Sequence, residues 1–151
     1  MAVFKSHSPL ETKKIAATIA AKITHTPNKK RGALVIALHG DLGAGKTTFT
    51  QGFAKALGIS RRITSPTFVI MKRHIVKKSG YANLYHIDAY RMKSITDMEP
   101  LEFEAILKEP SNIVLIEWAE NIKGNLLRGA RAISLTHGTH ETERTITVRG
   151  L

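Results

Sequence analysis

The chain is 151 residues long, 42% of them apolar, with no cysteine and a net charge of +11 from 23 Lys and Arg against 12 Asp and Glu. That length fits one domain, residues 1–151, burying about two-thirds of its unfolded surface without covalent staples; the missing cysteine removes disulfides, thiolate metal sites and cysteine nucleophiles together and suits a reducing cytoplasm. No apolar run reaches membrane-spanning length, so a cytoplasmic location is expected, and the charge implies a polyanionic partner.

Residues 1–9 carry Lys5 and His7 and only a short apolar run, Met1 to Phe4. Ser8-Pro9-Leu10-Glu11 then reads as a helix start, with Ser as N-cap, Pro at the first helical position and Glu completing a capping box. Ile15, Ile19 and Ile23 recur every fourth residue, so this helix lays one face on a sheet, and Thr26-Pro27-Asn28 ends it. Ala33 to Leu38 is an apolar run of strand length. Phe49, Phe53 and Leu57 follow at helical spacing, and Gly58 supplies a stop. Thr67 to Ile75 and Tyr81 to Ile87 predict two strands of a hairpin about the turn Lys77-Lys78-Ser79-Gly80. A short helix is expected over Met98 to Lys108, ended by Pro110. Ile113-Val114-Leu115-Ile116, apolar at every position, predicts a strand buried on both faces. Arg131 to Thr136 and Arg144 to Arg149 are weaker strands around His137-Gly138. The expected fold is a three-layer α/β domain of the P-loop NTPase type, with a mainly parallel central sheet, flanking helices and an added β-hairpin.

Between the first strong strand and its helix lies Gly40-Asp41-Leu42-Gly43-Ala44-Gly45-Lys46-Thr47-Thr48, which fits G-x-x-x-x-G-K-[ST] at every fixed position. Such a loop turns its N–H groups toward a chain of phosphates, and the helix behind it adds the positive end of its dipole. Lys46 then reaches the β- and γ-phosphates and the Thr47 hydroxyl becomes a ligand of Mg²⁺. The loop needs an acidic partner at the end of another central strand. Glu117 follows the strongest apolar run and Asp88 follows Leu84-Tyr85-His86-Ile87, so two positions compete and both can serve. By spacing alone Trp118, the sole tryptophan, closes the core. No cluster has zinc spacing, and no G-x-S-x-G appears. Basic clusters at Lys29-Lys30-Arg31, Arg61-Arg62, Lys72-Arg73, Lys77-Lys78 and Arg91 to Lys93 make an RNA, or an RNA-bearing complex, a reasonable partner.

With the loop, Thr64-Ser65-Pro66-Thr67-Phe68, His86-Ile87-Asp88-Ala89-Tyr90-Arg91 and Ile116-Glu117-Trp118-Ala119-Glu120 in this order, the chain resembles the bacterial ATPase family of tRNA threonylcarbamoyladenosine biosynthesis, TsaE or YjeE. The resemblance implies an ATPase that uses Mg²⁺ and works with a transferase complex, with TsaB and TsaD as subunits, on an adenosine beside the tRNA anticodon; it leaves open whether contact with tRNA is direct or indirect. It further implies that Asp41 to Thr48 bind the nucleotide, Lys46 and Thr47 serve phosphate and Mg²⁺, and Glu117 coordinates Mg²⁺. Thr67 faces the γ-phosphate in a switch-like segment, Asp88 positions or activates the attacking water, Trp118 belongs to the functional site, and Thr12 and the region before Arg144 approach the nucleotide. One departure stands out: Leu101-Glu102-Phe103 is followed by Glu104-Ala105 where the family commonly has Leu-Gly, which bears on a partner-facing turn.

Two other functions use the same loop. A small-molecule kinase needs more chain for an arginine-bearing lid, and a nucleotide-gated interaction module uses hydrolysis only to reset docking. A GTPase lacks its Asn-Lys-x-Asp motif here, since Asn28-Lys29-Lys30-Arg31 has no aspartate and precedes the loop.

Overall fold

A computed structural model of the chain describes residues 1–25, 32–65, 70–122 and 127–150. Its strands are β1 (Ala2–Ser6), β2 (Leu34–His39), β3 (Met71–Ile75), β4 (Asn83–Asp88), β5 (Asn112–Glu117), β6 (Arg131–His137) and β7 (Arg144–Arg149), and its helices α1 (Pro9–Thr24), α2 (Lys46–Ala56) and α3 (Phe103–Lys108). They form one seven-stranded sheet in the order β1-β7-β6-β2-β5-β4-β3. The inner strands β6, β2, β5 and β4 run parallel, while β3, β7 and β1 join antiparallel at the two sides. The expected hairpin is the β3–β4 pair, with Met71 opposite Ile87 and Ile75 opposite Asn83. The part of that expectation at residues 67–69, like the helix end at Thr26-Pro27-Asn28, lies outside the described residues.

Strand β5 explains the layering. All its residues are buried, with Ile113 and Leu115 packed among Ile19, Phe49 and Phe53 of α1 and α2. Val114 and Ile116 face the other way, toward Met98, Phe103 and Ile106. Period-two alternation thus feeds two cores, and a strand between two cores must be apolar throughout. The two helices on the first face pack closely because Gly52 of α2 lies against α1. A Cβ there would fall 2.6 Å from Lys13 Cα.

Helix α1 begins as the sequence predicts. Ser8 Oγ accepts the Glu11 N–H at 3.1 Å, but the Glu11 carboxylate reaches back to the His7 N–H at 2.7 Å rather than to that of Ser8. Gly58 ends α2, its N–H on Lys55 O at 3.0 Å. Two readings need correction. The helix expected over Met98 to Lys108 is two pieces, a 3-10 turn at Ile95–Leu101 and α3, broken at Glu102 with φ 54°. Pro100 has no N–H to donate back along the turn, so a continuous ladder through this stretch is already incomplete. Strand β1 was not among the expected elements, because an edge strand that leaves Val3 55% exposed has too little apolar alternation to register. Among the described residues no helix is long and apolar enough to cross a membrane.

Candidate functional site

Parallel strands end on the same side, so β2, β4 and β5 deliver His39, Asp88 and Glu117 to one rim, the place where open α/β sheets bind ligands. Asp88 and Glu117 are register partners, and Leu38 of β2 is the partner of Glu117 on the other side. From β2 the chain turns through the glycine-rich loop into α2. Gly45 takes the N-cap position at φ 98°, which any side chain would strain, and no side chain caps the helix. The first N–H groups of α2 therefore remain available to an anion.

Loop, helix and strand tips enclose a cavity of about 530 Å³ whose walls include Leu42, Gly43, Gly45, Lys46, Thr47 and Thr48 on one side and Asp88, Glu117 and Trp118 on the other. Lys46 Nζ donates to Gly40 O at 2.5 Å and Asp41 O at 2.9 Å. The same ammonium lies 3.9 Å from the centre of the Trp118 ring, which itself meets Tyr90 at 4.9 Å between centroids. Trp118 has φ 57°, a conformation L residues rarely adopt, and this turns the chain sharply after Glu117. Trp118 thus lies against the loop lysine and lines the cavity, and, partly buried, it also packs against the core that holds Phe103 and Ile116, as the core-closing reading from spacing expects. Burial pushes the Lys46 ammonium below the ordinary lysine range, and the carboxylates of Glu117, Glu120, Asp88 and Asp41 pull it partly back.

The two acids are held differently. Glu117 is 2% exposed, and its Oε1 meets His86 Nε2 at 2.8 Å and the Thr50 hydroxyl at 3.3 Å. A carboxylate only accepts, so His86 Nε2 donates, and Nδ1 is left buried without a partner. The Thr50 hydroxyl also lies 2.9 Å from Lys46 O, its single proton shared between helix and acid. Asp88 accepts the Tyr90 N–H on Oδ1 and the Ser65 hydroxyl on Oδ2, both at 2.9 Å. Asn121 fixes the turn after β4 by donating to Ala89 O at 2.9 Å and Tyr90 O at 3.1 Å.

Three predicted residues lie off the cavity wall. Asp41 contributes its carbonyl to Lys46. Ala44 is fully buried, and its carbonyl accepts Arg144 Nε at 3.1 Å. Thr12 is buried in the β1–α1 corner with its hydroxyl 2.7 Å from that of Ser6. Thr67 lies outside the described residues. Sequence reasoning gave no part to Thr50, whose place four residues after Lys46 puts both on one helix face. It also missed the brace formed by Arg144, which no spacing rule connects to a loop 100 residues earlier.

The family model for "Threonylcarbamoyl adenosine biosynthesis protein TsaE" matches residues 6–146, nearly the whole chain. The chain belongs to the TsaE family. A protein named tRNA threonylcarbamoyladenosine biosynthesis protein TsaE from Bacillus subtilis is 40% identical over 97% of this chain and 85% of its own length. Its namesake from Streptomyces coelicolor is 34% identical over 80% of this chain and 82% of its own. The crystal structure of Bacillus subtilis YdiB superposes with a TM-score of 0.69 at 32% identity, covering 97% of this chain and 83% of that one. The TsaE match covers the loop, both acids and Arg144, so every residue of the cavity wall falls within it.

Proposed function

We propose that this chain, as a single cytoplasmic domain, binds ATP with Mg²⁺ between the phosphate loop and the strand tips and hydrolyses it. By this activity it serves threonylcarbamoyladenosine formation in tRNA, together with a transferase complex of TsaB and TsaD. One observation supports the reading most: Asp88 and Glu117, register partners on adjacent strands, line the same cavity as Lys46 and Thr47.

The donors fit a hard divalent cation. Thr47 offers a hydroxyl and Glu117 a carboxylate, and among the described residues no cluster of three acidic, His or Cys side chains forms an all-protein metal cage. Mg²⁺ favours such sites, taking one or two carboxylates and completing its shell with phosphate oxygens and water. When bound, it neutralises charge on the phosphates and fixes their orientation.

Each side chain then has a task. Lys46 and the loop N–H groups bind phosphate oxygens, and Trp118 shields that contact from water. Glu117 holds the ion with Thr47. Asp88, fixed by Ser65 and the Tyr90 N–H, orients the attacking water and draws on its proton. Thr67 takes its role toward the γ-phosphate from the family resemblance alone.

Calorimetric titration with ATP, with and without Mg²⁺, tests the assignment on the chain and on Glu117→Gln, with phosphate release followed in parallel. The variant is expected to bind ATP without the gain that Mg²⁺ gives the native chain, and to turn over slowly. An undiminished Mg²⁺ gain places the ion elsewhere, and absence of ATP binding by the native chain overturns the reading.

A further inference from the structure

Positive charge is concentrated in one part of the chain. Between Asp41 and Asp88 there is no acidic residue, while eight Lys and Arg occur there. The fold gathers five of them, Arg61, Arg62, Lys72, Arg73 and Lys77, with His74, around a groove of about 650 Å³ between the chain leaving α2 and strand β3. None of these five forms an ion pair. Among the described residues the ion pairs are His39 with Glu120 and His86 with Glu117. Lys72 Nζ donates to the Thr64 hydroxyl at 3.2 Å, and Arg73 Nε to Asn83 Oδ1 at 2.8 Å, so both are directed by neutral groups that leave their charge uncancelled. His74 reports the local field: burial first, then His86, Lys72 and Arg61, hold it below the ordinary histidine range. Its Nε2 is buried with no partner.

We infer that this groove docks the sugar-phosphate backbone of RNA. Unpaired cations interleaved with the hydroxyls of Ser60 and Thr64 suit a ligand with a charge at every repeat. A protein interface centres on buried apolar or aromatic anchors, whereas no Phe, Tyr or Trp lines this groove and Ile59 is its one buried apolar wall. Without a Phe, Tyr or Trp platform for bases, contact is with the backbone and carries little sequence preference. That the nucleic acid is RNA rests on the tRNA reading above; the groove itself does not. The groove also adjoins the nucleotide cavity, since Thr64 lines the one and Ser65 the other.

Anisotropy of a fluorescein-labelled RNA hairpin of about twenty nucleotides, titrated with the full chain, tests the assignment against an acidic peptide of comparable charge. Two double variants carry equal charge changes: Arg62→Glu with Lys77→Glu in the groove, and Lys5→Glu with Arg149→Glu at the opposite side of the sheet, all four residues exposed. The groove pair is expected to weaken RNA binding about tenfold and flatten the slope of log affinity against log salt by about 1.5, while the distant pair changes affinity less than about twofold. ATP titration of the same samples keeps this outcome separate from that of the ATPase reading. Equal losses in both pairs, tighter binding of the peptide than of the RNA, or no RNA binding by the native chain near 0.1 M salt each overturns the inference.

Discussion

The two sides of the nucleotide cavity are built by opposite means. On the loop side, Lys46 is held by carbonyls five and six residues earlier in the chain, and α2 starts at once behind it. On the acid side, the partners of Glu117 lie 31 and 67 residues away, on a neighbouring strand and on a helix. Short-range geometry builds the loop side from one stretch of sequence; long-range geometry builds the acid side from three. The first depends on the conformation of a few residues, the second on the whole sheet being in register. Variants of the two sides should therefore fail differently, the loop in nucleotide binding and the acids in Mg²⁺ uptake and turnover.

The largest effect is expected from Lys46→Ala. The loop loses its only side-chain cation, and ATP affinity should fall about a hundredfold or more, with turnover lost as a result. A fluorescent ATP analogue measures this directly. Affinity like that of the native chain would mean that the loop side does not carry binding. On the acid side, Asp88→Asn should leave ATP affinity within about twofold and slow phosphate release about a hundredfold, the scale of a misplaced general base. Normal release would make Asp88 a structural acid, tied to Ser65 and Tyr90 for the sake of the turn.

This difference in range also decides what the sequence reveals. The loop was legible because its pattern and its strand and helix context occupy one short segment, and β5 because an unbroken apolar run has few other uses. Spacing named Asp88 and Glu117 as rivals that could both serve, and the resemblance gave each a task, but their adjacency depends on a parallel register that no local pattern encodes. His86 shows the limit most clearly. A lone histidine on a strand is more often packed than catalytic, and this one is packed, at 0% exposure, yet it is also the donor that fixes Glu117. Strand β1 and the break at Glu102 escaped for another reason: both are set by tertiary packing where propensity is weak.

His86→Asn sharpens the comparison at intermediate scale. Its amide is too short to keep the 2.8 Å contact, so Glu117 loses its strongest donor while the loop is untouched. Mg²⁺ affinity in the presence of ATP should fall about tenfold, the lower end for a lost outer partner of a metal ligand, and ATP affinity without Mg²⁺ should hold. A parallel fall in both would show that His86 supports the fold of the rim rather than the orientation of one carboxylate.

The smallest effect is expected on the loop side, from Arg144. Its guanidinium donates to Ala44 O and Gly43 O through Nε and Nη2, both at 3.1 Å, and through Nη1 to Glu141 O at 2.6 Å and Glu143 O at 2.8 Å. One side chain therefore ties the phosphate loop to the β6–β7 turn, a long-range support of an otherwise local structure. An ammonium cannot span both sets of carbonyls, so Arg144→Lys should behave nearly as Arg144→Ala. Because the loop still folds by its own backbone conformations and those carbonyls can turn to water, ATP affinity should drop only about threefold to tenfold. Hydrogen exchange of the amides at Gly43, Ala44 and Gly45 should quicken in the ATP-free protein in both variants. Loss of affinity with unchanged exchange would move Arg144 from brace to direct nucleotide contact, and no change in either would leave the loop wholly self-supporting.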